Sequence, residues 1–308
     1  MFKHLLLALS DSTWARRLLA RAPLARRLAQ RFVAGETLDD AVAAVRALNR
    51  QGLAATLDAL GEHVRTPEDA VRAADSYIAA LDRIARDRLD ANVSLKLTQL
   101  GLDLDESLCL AQLRRILDRA AGAGIFVRID MESSRYTDRT LMIGRLLNRE
   151  YGPDRVGVVL QAYLRRSEQD LTPLLTERIR VRLCKGAYHE PPDLAYPEKS
   201  QVDEQYRRLA RRLLEDAVTG APHAIATHDP RMIAAALDDA RRLQLPPARF
   251  EFQMLYGIRR RAQRELATAG HRVRTYVPYG AEWYPYLMRR LAERPANLWF
   301  FLTQLFRR

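Results

Sequence analysis

The sequence has little of what marks several common protein classes. Only two of its 308 residues are cysteine, Cys109 and Cys184. That excludes a disulfide scaffold and a four-cysteine metal site, and it suits a reducing compartment. No apolar run approaches the ~18 residues that a membrane span needs, and the h-region of a secretory signal is missing. Zinc-finger spacing, a glycine–aromatic RNA module and a long basic run are all absent. The net charge of +12 therefore does not mark a nucleic-acid binder. No GxGxxG element follows the first strand-like segment, which argues against a dinucleotide-binding open sheet.

What is present is a hydrophobic share of 48%, enough to exclude disorder and to build one large domain or two ordinary ones. Half of the net charge sits near the N-terminus: residues 1–34 carry six Arg and one Lys against the single acid Asp11. Interleaved Leu, Phe2 and Trp14 make this segment read as short amphipathic helices. They either touch an anionic membrane surface or cap the domain. Residues 1–50 are accordingly expected to form a helical arm and residues 51–308 a catalytic domain.

From residue 52 onward a rhythm appears. Short, strand-like pieces recur: GLAATLDAL, ANVSLKLTQL, GIFVRIDM, RVGVVLQAYL, RIRVRLCKGAY, HAIATHD, RFEFQML and HRVRTYVPYG. Between them lie Leu/Ala/Arg-rich stretches of helical period. Eight such alternations predict an α/β fold, a closed (β/α)₈ TIM-like barrel. The active face of a barrel lies at the C-terminal ends of its strands. Those ends offer Lys96, Asp130, Gln161, Arg182 with Lys185, Thr227 with His228, Gln253 with Leu255, and Tyr276. Polar groups delivered to one rim by most strands point to an enzyme. Of the three arginines in RIRVRL, two (among Arg178, Arg180 and Arg182) are expected to face outward. Thr227–His228 and His223 lack a carboxylate or cysteine set at ligand spacing, so no metal is expected.

Past the last strand, Pro285 starts a helix and Pro295 ends it. Tyr286, Arg289, Arg290 and Glu293 share one face, and Leu287 and Leu291 another. Two adjacent guanidiniums at the rim can clamp a carboxylate. The plainer account is a surface helix with an Arg289–Glu293 pair, worth only ~0.3–0.5 kcal/mol.

The motifs SLKL, RIDME, QAYL, RLCKGAY, ATHD, FEFQMLYG, RVRTYVPYG and YLMRRLAERPAN occur in order on these strands and on the last helix. In this the chain resembles the bacterial monofunctional proline dehydrogenases over roughly residues 35–308. The resemblance implies a distorted barrel, its last helix lying over the active-site rim, with noncovalently bound FAD. It implies oxidation of L-proline to Δ¹-pyrroline-5-carboxylate, electrons passing to a membrane quinone, and a cytoplasmic enzyme peripheral on the membrane's inner face. A separate dehydrogenase would then consume the product. By the same resemblance Arg289 and Arg290, assisted by Lys96, hold the substrate carboxylate. Leu255, Tyr276 and Tyr286 wall the proline pocket, and Glu62 pairs with Arg289 as a gate. Arg182 faces the flavin N5. Met131, Gln161, Lys185, Gly186, Ala187, Tyr188, Thr227 and His228 supply other flavin contacts. Asp130 is either a base or an electrostatic anchor for Lys96, the anchor being preferred. His189 stands where the bifunctional relatives carry tryptophan, which favours the monofunctional branch. Two other classes stay open: a Schiff-base aldolase using Lys96 or Lys185, and a noncatalytic basic protein binding nucleic acid or membrane. Neither the oligomeric state nor a choice between proline and hydroxyproline is legible.

Overall fold

The fold is known from a computed structural model that describes residues 31–61, 64–284 and 286. Eight parallel strands close on themselves in chain order. They are β1 (Ala54–Ala59), β2 (Ala91–Leu95), β3 (Val127–Ile129), β4 (Val156–Gln161), β5 (Arg180–Cys184), β6 (His223–Ala226), β7 (Phe250–Leu255) and β8 (Val273–Tyr279). Pairing of β8 with β1, from Ala54↔Arg274 to Ala59↔Tyr279, shuts the barrel. All eight strand-like segments of the sequence become strands.

Helix α1 (Leu38–Asn49) precedes β1 and packs against β1 and β8. The others follow their strands: α2 (Pro67–Arg86), α3 (Glu106–Gly122), α4 (Thr137–Tyr151), α5 (Ser167–Thr176), α6 (Lys199–Asp216), α7 (Pro230–Arg242) and α8 (Arg260–Thr268). Local chemistry sets their starts. Thr37 with Asp40 and Thr66 with Asp69 form capping boxes on α1 and α2. Asp105 and Asp229 cap α3 and α7. Each cap satisfies amides that the first turn leaves without partners.

Strand alternation divides the barrel chemically. Register places Thr56 beside Asn92, Ser94 beside Arg128, Arg128 beside Gly157, Gly157 beside Arg180, and Gln253 beside Arg274. Side chains two apart share a face, so this inward face is polar. The opposite face carries Leu57, Val93, Leu95, Val127, Ile129, Val158, Leu160, Val181, Leu183, Ile225, Phe252 and Val277. These join the helices in one apolar core. Fixing Arg182 inward fixes Arg180 inward as well, because residues i and i+2 point alike. The expectation of two outward arginines is corrected: Arg180 is half-buried and inward, and only Arg178 is exposed, in a turn at φ +56°.

Candidate active site

At the C-terminal mouth the strand ends bring carboxylates and cations into one buried network. Asp130 lies one residue beyond β3. Its Oδ1 accepts from Ser94 Oγ and from Arg182 Nη1, each at 2.6 Å, and its Oδ2 accepts from Tyr276 OH at 2.7 Å. The network thus ties β2, β3, β5 and β8 together. Arg182 also donates Nε to Gln253 Oε1 and lies 5.3 Å from the Tyr276 ring centroid. Burial, then the charges of Asp130 and Asp58, push the Tyr276 phenol well above its ordinary range. It therefore stays protonated and acts as a donor.

Lys96 reaches the same mouth from β2, but its partner is not Asp130. Its Nζ lies 3.6 Å from Asp58 Oδ2 at the end of β1. The expected anchoring of Lys96 by Asp130 is corrected: Asp130 holds Arg182, and Asp58 holds Lys96. Asp58 is itself buried and accepts from Tyr77 OH at 3.4 Å. The shorter contact of the single Tyr77 hydroxyl proton is to Gln99 Oε1, at 2.9 Å. Glu132, within reach of the Lys96 charge, accepts from Thr98 N and Oγ1, and burial raises its carboxyl above the usual range.

The expected cofactor residues divide into two groups. Met131, Gln161 and Thr227 are buried at the mouth. Gln161 Nε2 makes a long contact of 3.4 Å to Met131 O. Two buried polar atoms here lack a hydrogen-bond partner among the described residues: Gln161 Oε1, an acceptor, and Arg182 Nη2, a donor. Such atoms are costly to bury unsatisfied. They fit a ligand offering a donor to one and an acceptor to the other. Lys185 lies further out, bonded to Asp203 and, at 3.0 Å, to Asp229 Oδ2. Gly186 follows at φ +106°, where a Cβ would collide with the Tyr163 ring. Only glycine fits that turn. Ala187 and Tyr188 are exposed beside it.

His228 Nε2 accepts from Leu255 N at 2.9 Å, which pins the end of β6 to the end of β7. No cluster of three or more His, Cys, Asp or Glu able to hold a metal occurs among the described residues. Leu255 is half-buried and Tyr286 is buried. Glu62, Arg289 and Arg290 lie outside the described residues.

Sequence reasoning missed Asp58, Ser94, Glu132 and Glu190. Ser134 donates to Glu190 through both N, at 2.7 Å, and Oγ, joining the segment after β3 to that after β5. The usable signal was polar residues two apart in apolar runs, such as Ser94 and Lys96 in SLKL.

Comparison with known proteins identifies the family. A family profile described as Proline dehydrogenase matches residues 41–302. The chain is 42% identical over 308 residues to proline dehydrogenase 1 of Bacillus subtilis, covering 100% of both chains. It is 44% identical over 280 residues to the proline dehydrogenase of Deinococcus radiodurans, covering 89% of this chain and 88% of that one. Among solved structures, proline utilization A from Bdellovibrio bacteriovorus inactivated by N-propargylglycine superposes with a TM-score of 0.81 at 28% identity, over 87% of this chain and 32% of that one. The chain belongs to the proline dehydrogenase family of enzymes.

Proposed function

We propose that this protein is an FAD-dependent dehydrogenase that oxidises L-proline to Δ¹-pyrroline-5-carboxylate and passes the electrons to a membrane quinone, the first step in degrading proline to glutamate. The observation that carries the reading is the buried network of Asp130, Arg182, Tyr276 and Ser94 at the barrel mouth, with two orphaned polar atoms beside it. Gln161 Oε1 suits a ring N–H of an isoalloxazine, and Arg182 Nη2 suits its N5 acceptor. When bound, FAD supplies the hydride acceptor.

The chain's own residues bind and orient. Lys96, Arg289 and Arg290 hold the carboxylate, the arginines through paired donors. Leu255, Tyr276 and Tyr286 wall the pyrrolidine ring, so that its reacting carbon is held in place. Both oxygens of Asp130 are already engaged. That supports a fixed anion which orients Arg182 and Tyr276, with the substrate's ammonium proton lost to water. Lys185, Gly186, Ala187, Tyr188, Thr227 and His228 line the outer part of the cofactor site, and Glu62 closes the pocket on Arg289.

Among the described residues no helix is long and apolar enough to cross a membrane. The basic segment at residues 1–34 gives the enzyme its contact with the anionic inner face of the cytoplasmic membrane, where quinone is met. A separate dehydrogenase takes the product. Lys96 and Lys185 both sit against carboxylates rather than in the apolar pocket that activates a Schiff-base lysine. A turnover assay with a soluble quinone analogue tests the reading. Quinone reduction that requires L-proline and yields a trappable cyclic imine supports it. A borohydride-stable lysine adduct formed without flavin directs the protein to the aldolase class instead.

A further inference from the structure

The opposite, N-terminal mouth of the barrel holds a cavity of about 670 Å³ that the proline chemistry does not use. Arg88, Arg128, Arg180, Arg272 and Arg274 line it, against the acids Asp90, Asp154 and Glu251. Cations are in excess, and the pairing is uneven. Arg274 Nε bonds Glu251 at 3.0 Å, and Arg272 bonds Asp90 at 2.9 Å. Among the described residues the one ion pair of Arg180 is to Asp154, at 3.8 Å, a largely exposed carboxylate, and its Nε makes a long contact of 3.4 Å to Pro222 O.

Arg128 is the decisive residue. It is 4% exposed, yet no carboxylate lies within ion-pair distance of it among the described residues. Of its three nitrogens only Nη1 has a hydrogen-bond partner there, donating to Val158 O at 3.0 Å and Arg180 O at 2.5 Å. Its Nε is buried without one. A buried cation in that condition is costly. Burial, then the charges of Arg182 and Arg180, disfavours its ionised form.

The surroundings preserve this arrangement. Arg128 and Arg180 both lie over the Phe126 ring, at 4.7 and 4.9 Å from its centroid. A Cβ on Gly157 would strike Arg180 O and Arg128 Nη1, so glycine there leaves room for the guanidinium. His223 adds no positive charge. Its Nδ1 accepts from Val181 N at 3.1 Å, so that nitrogen carries no proton, and its Nε2 lies 2.9 Å from Asp216 Oδ2.

We propose that this cavity is an anion-binding site, separate from the catalytic mouth, that takes a small dianion of phosphate or dicarboxylate type on Arg128, Arg180 and Arg272. Guanidinium forks converging from β3, β5 and the start of β8 match an oxyanion that accepts from several directions. The ligand supplies the negative charge that Arg128 lacks within the protein.

Calorimetric titration of the flavin-loaded protein with sodium phosphate and with sodium malonate tests this, with chloride holding ionic strength constant. The expected result is saturable binding of at least one of the two, weakened tenfold or more in Arg180→Gln. Arg180 is half-buried at a strand start, and circular dichroism checks the fold of that variant. Arg272→Gln, nearer the surface, provides a second variant with the same expectation. Binding of phosphate alone assigns a phosphate-type ligand, and binding of malonate alone a dicarboxylate. No saturable binding of either ion, or binding undiminished in both variants, overturns the proposal.

Discussion

Arg182 on β5 and Asp130 beyond β3 meet across the barrel mouth at 2.6 Å, both buried. The contact fixes the guanidinium that is proposed to face the flavin. It also leaves Asp130 Oδ2 for the Tyr276 hydroxyl. One carboxylate thus sets the positions of a guanidinium from β5 and a phenol from β8, three strands away in the barrel order.

Asp130→Asn therefore disturbs three partners at once, Ser94, Arg182 and Tyr276. Removing one member of a buried pair costs about 3 kcal/mol or more of stability. Proline kcat/KM is expected to fall on the order of 10²-fold, the scale for losing a preorganised electrostatic contact. The pH profile keeps the limbs of the parent enzyme. Loss of an entire ionisation limb in the variant would make Asp130 the base.

Lys96 is held by Asp58, and the two roles separate by double mutation. Lys96→Met is expected to raise KM for proline about tenfold or more, equivalent to ~1.4 kcal/mol of lost binding. It also destabilises the fold, because the buried charge of Asp58 loses a cation. Adding Asp58→Asn restores much of the stability and leaves KM high. Recovery of KM along with stability would mean that Lys96 does not touch substrate.

Arg290 lies outside the described residues, and its expected role comes from the motif YLMRRLAERPAN. Arg290→Lys is expected to raise KM strongly, since a single ammonium cannot reproduce a planar two-donor fork. Unchanged KM and kcat in steady-state kinetics would remove Arg290 from the carboxylate clamp.

Glu251 gives stability an acid limb. Burial pushes its carboxyl up, but the charge and hydrogen bonds of Arg274, with help from Gln253 and Arg272, outweigh this and hold it at about 2 against an ordinary 4.5. A folded-state value below the unfolded one stabilises above the unfolded value, and that stability is lost as pH falls toward the folded one. About 3 kcal/mol is thus expected to disappear between roughly pH 4.5 and 2. Urea midpoints across that range should converge for the parent protein and Glu251→Gln. Parallel curves would contradict the assignment.

The barrel was legible because its strands are short, β-branched and evenly spaced, and because the C-terminal strand ends carry polar residues in a predominantly apolar setting. Lys96, Asp130, Gln161 and Arg182 were found by that rule. The partners of Lys96 and Asp130 were not. Register decides which inward residues face one another, and a single sequence does not give register. Asp58 sits in the alanine-rich β1, the least strand-like of the eight segments. The alternation of Arg178, Arg180 and Arg182 resembles a solvated strand face, and only closure of the barrel turns Arg180 and Arg182 inward together. Arg128 and Arg274 were passed over for the same reason: an interior lined with arginine runs against the usual apolar filling of such barrels.

The most direct test is an anaerobic absorbance spectrum of the purified protein before and after addition of L-proline. The expected result is an oxidised-flavin spectrum that bleaches on addition of proline and returns with a quinone analogue. A colourless protein, or a flavin band that L-proline leaves unchanged, would contradict a barrel mouth built to hold proline against a flavin.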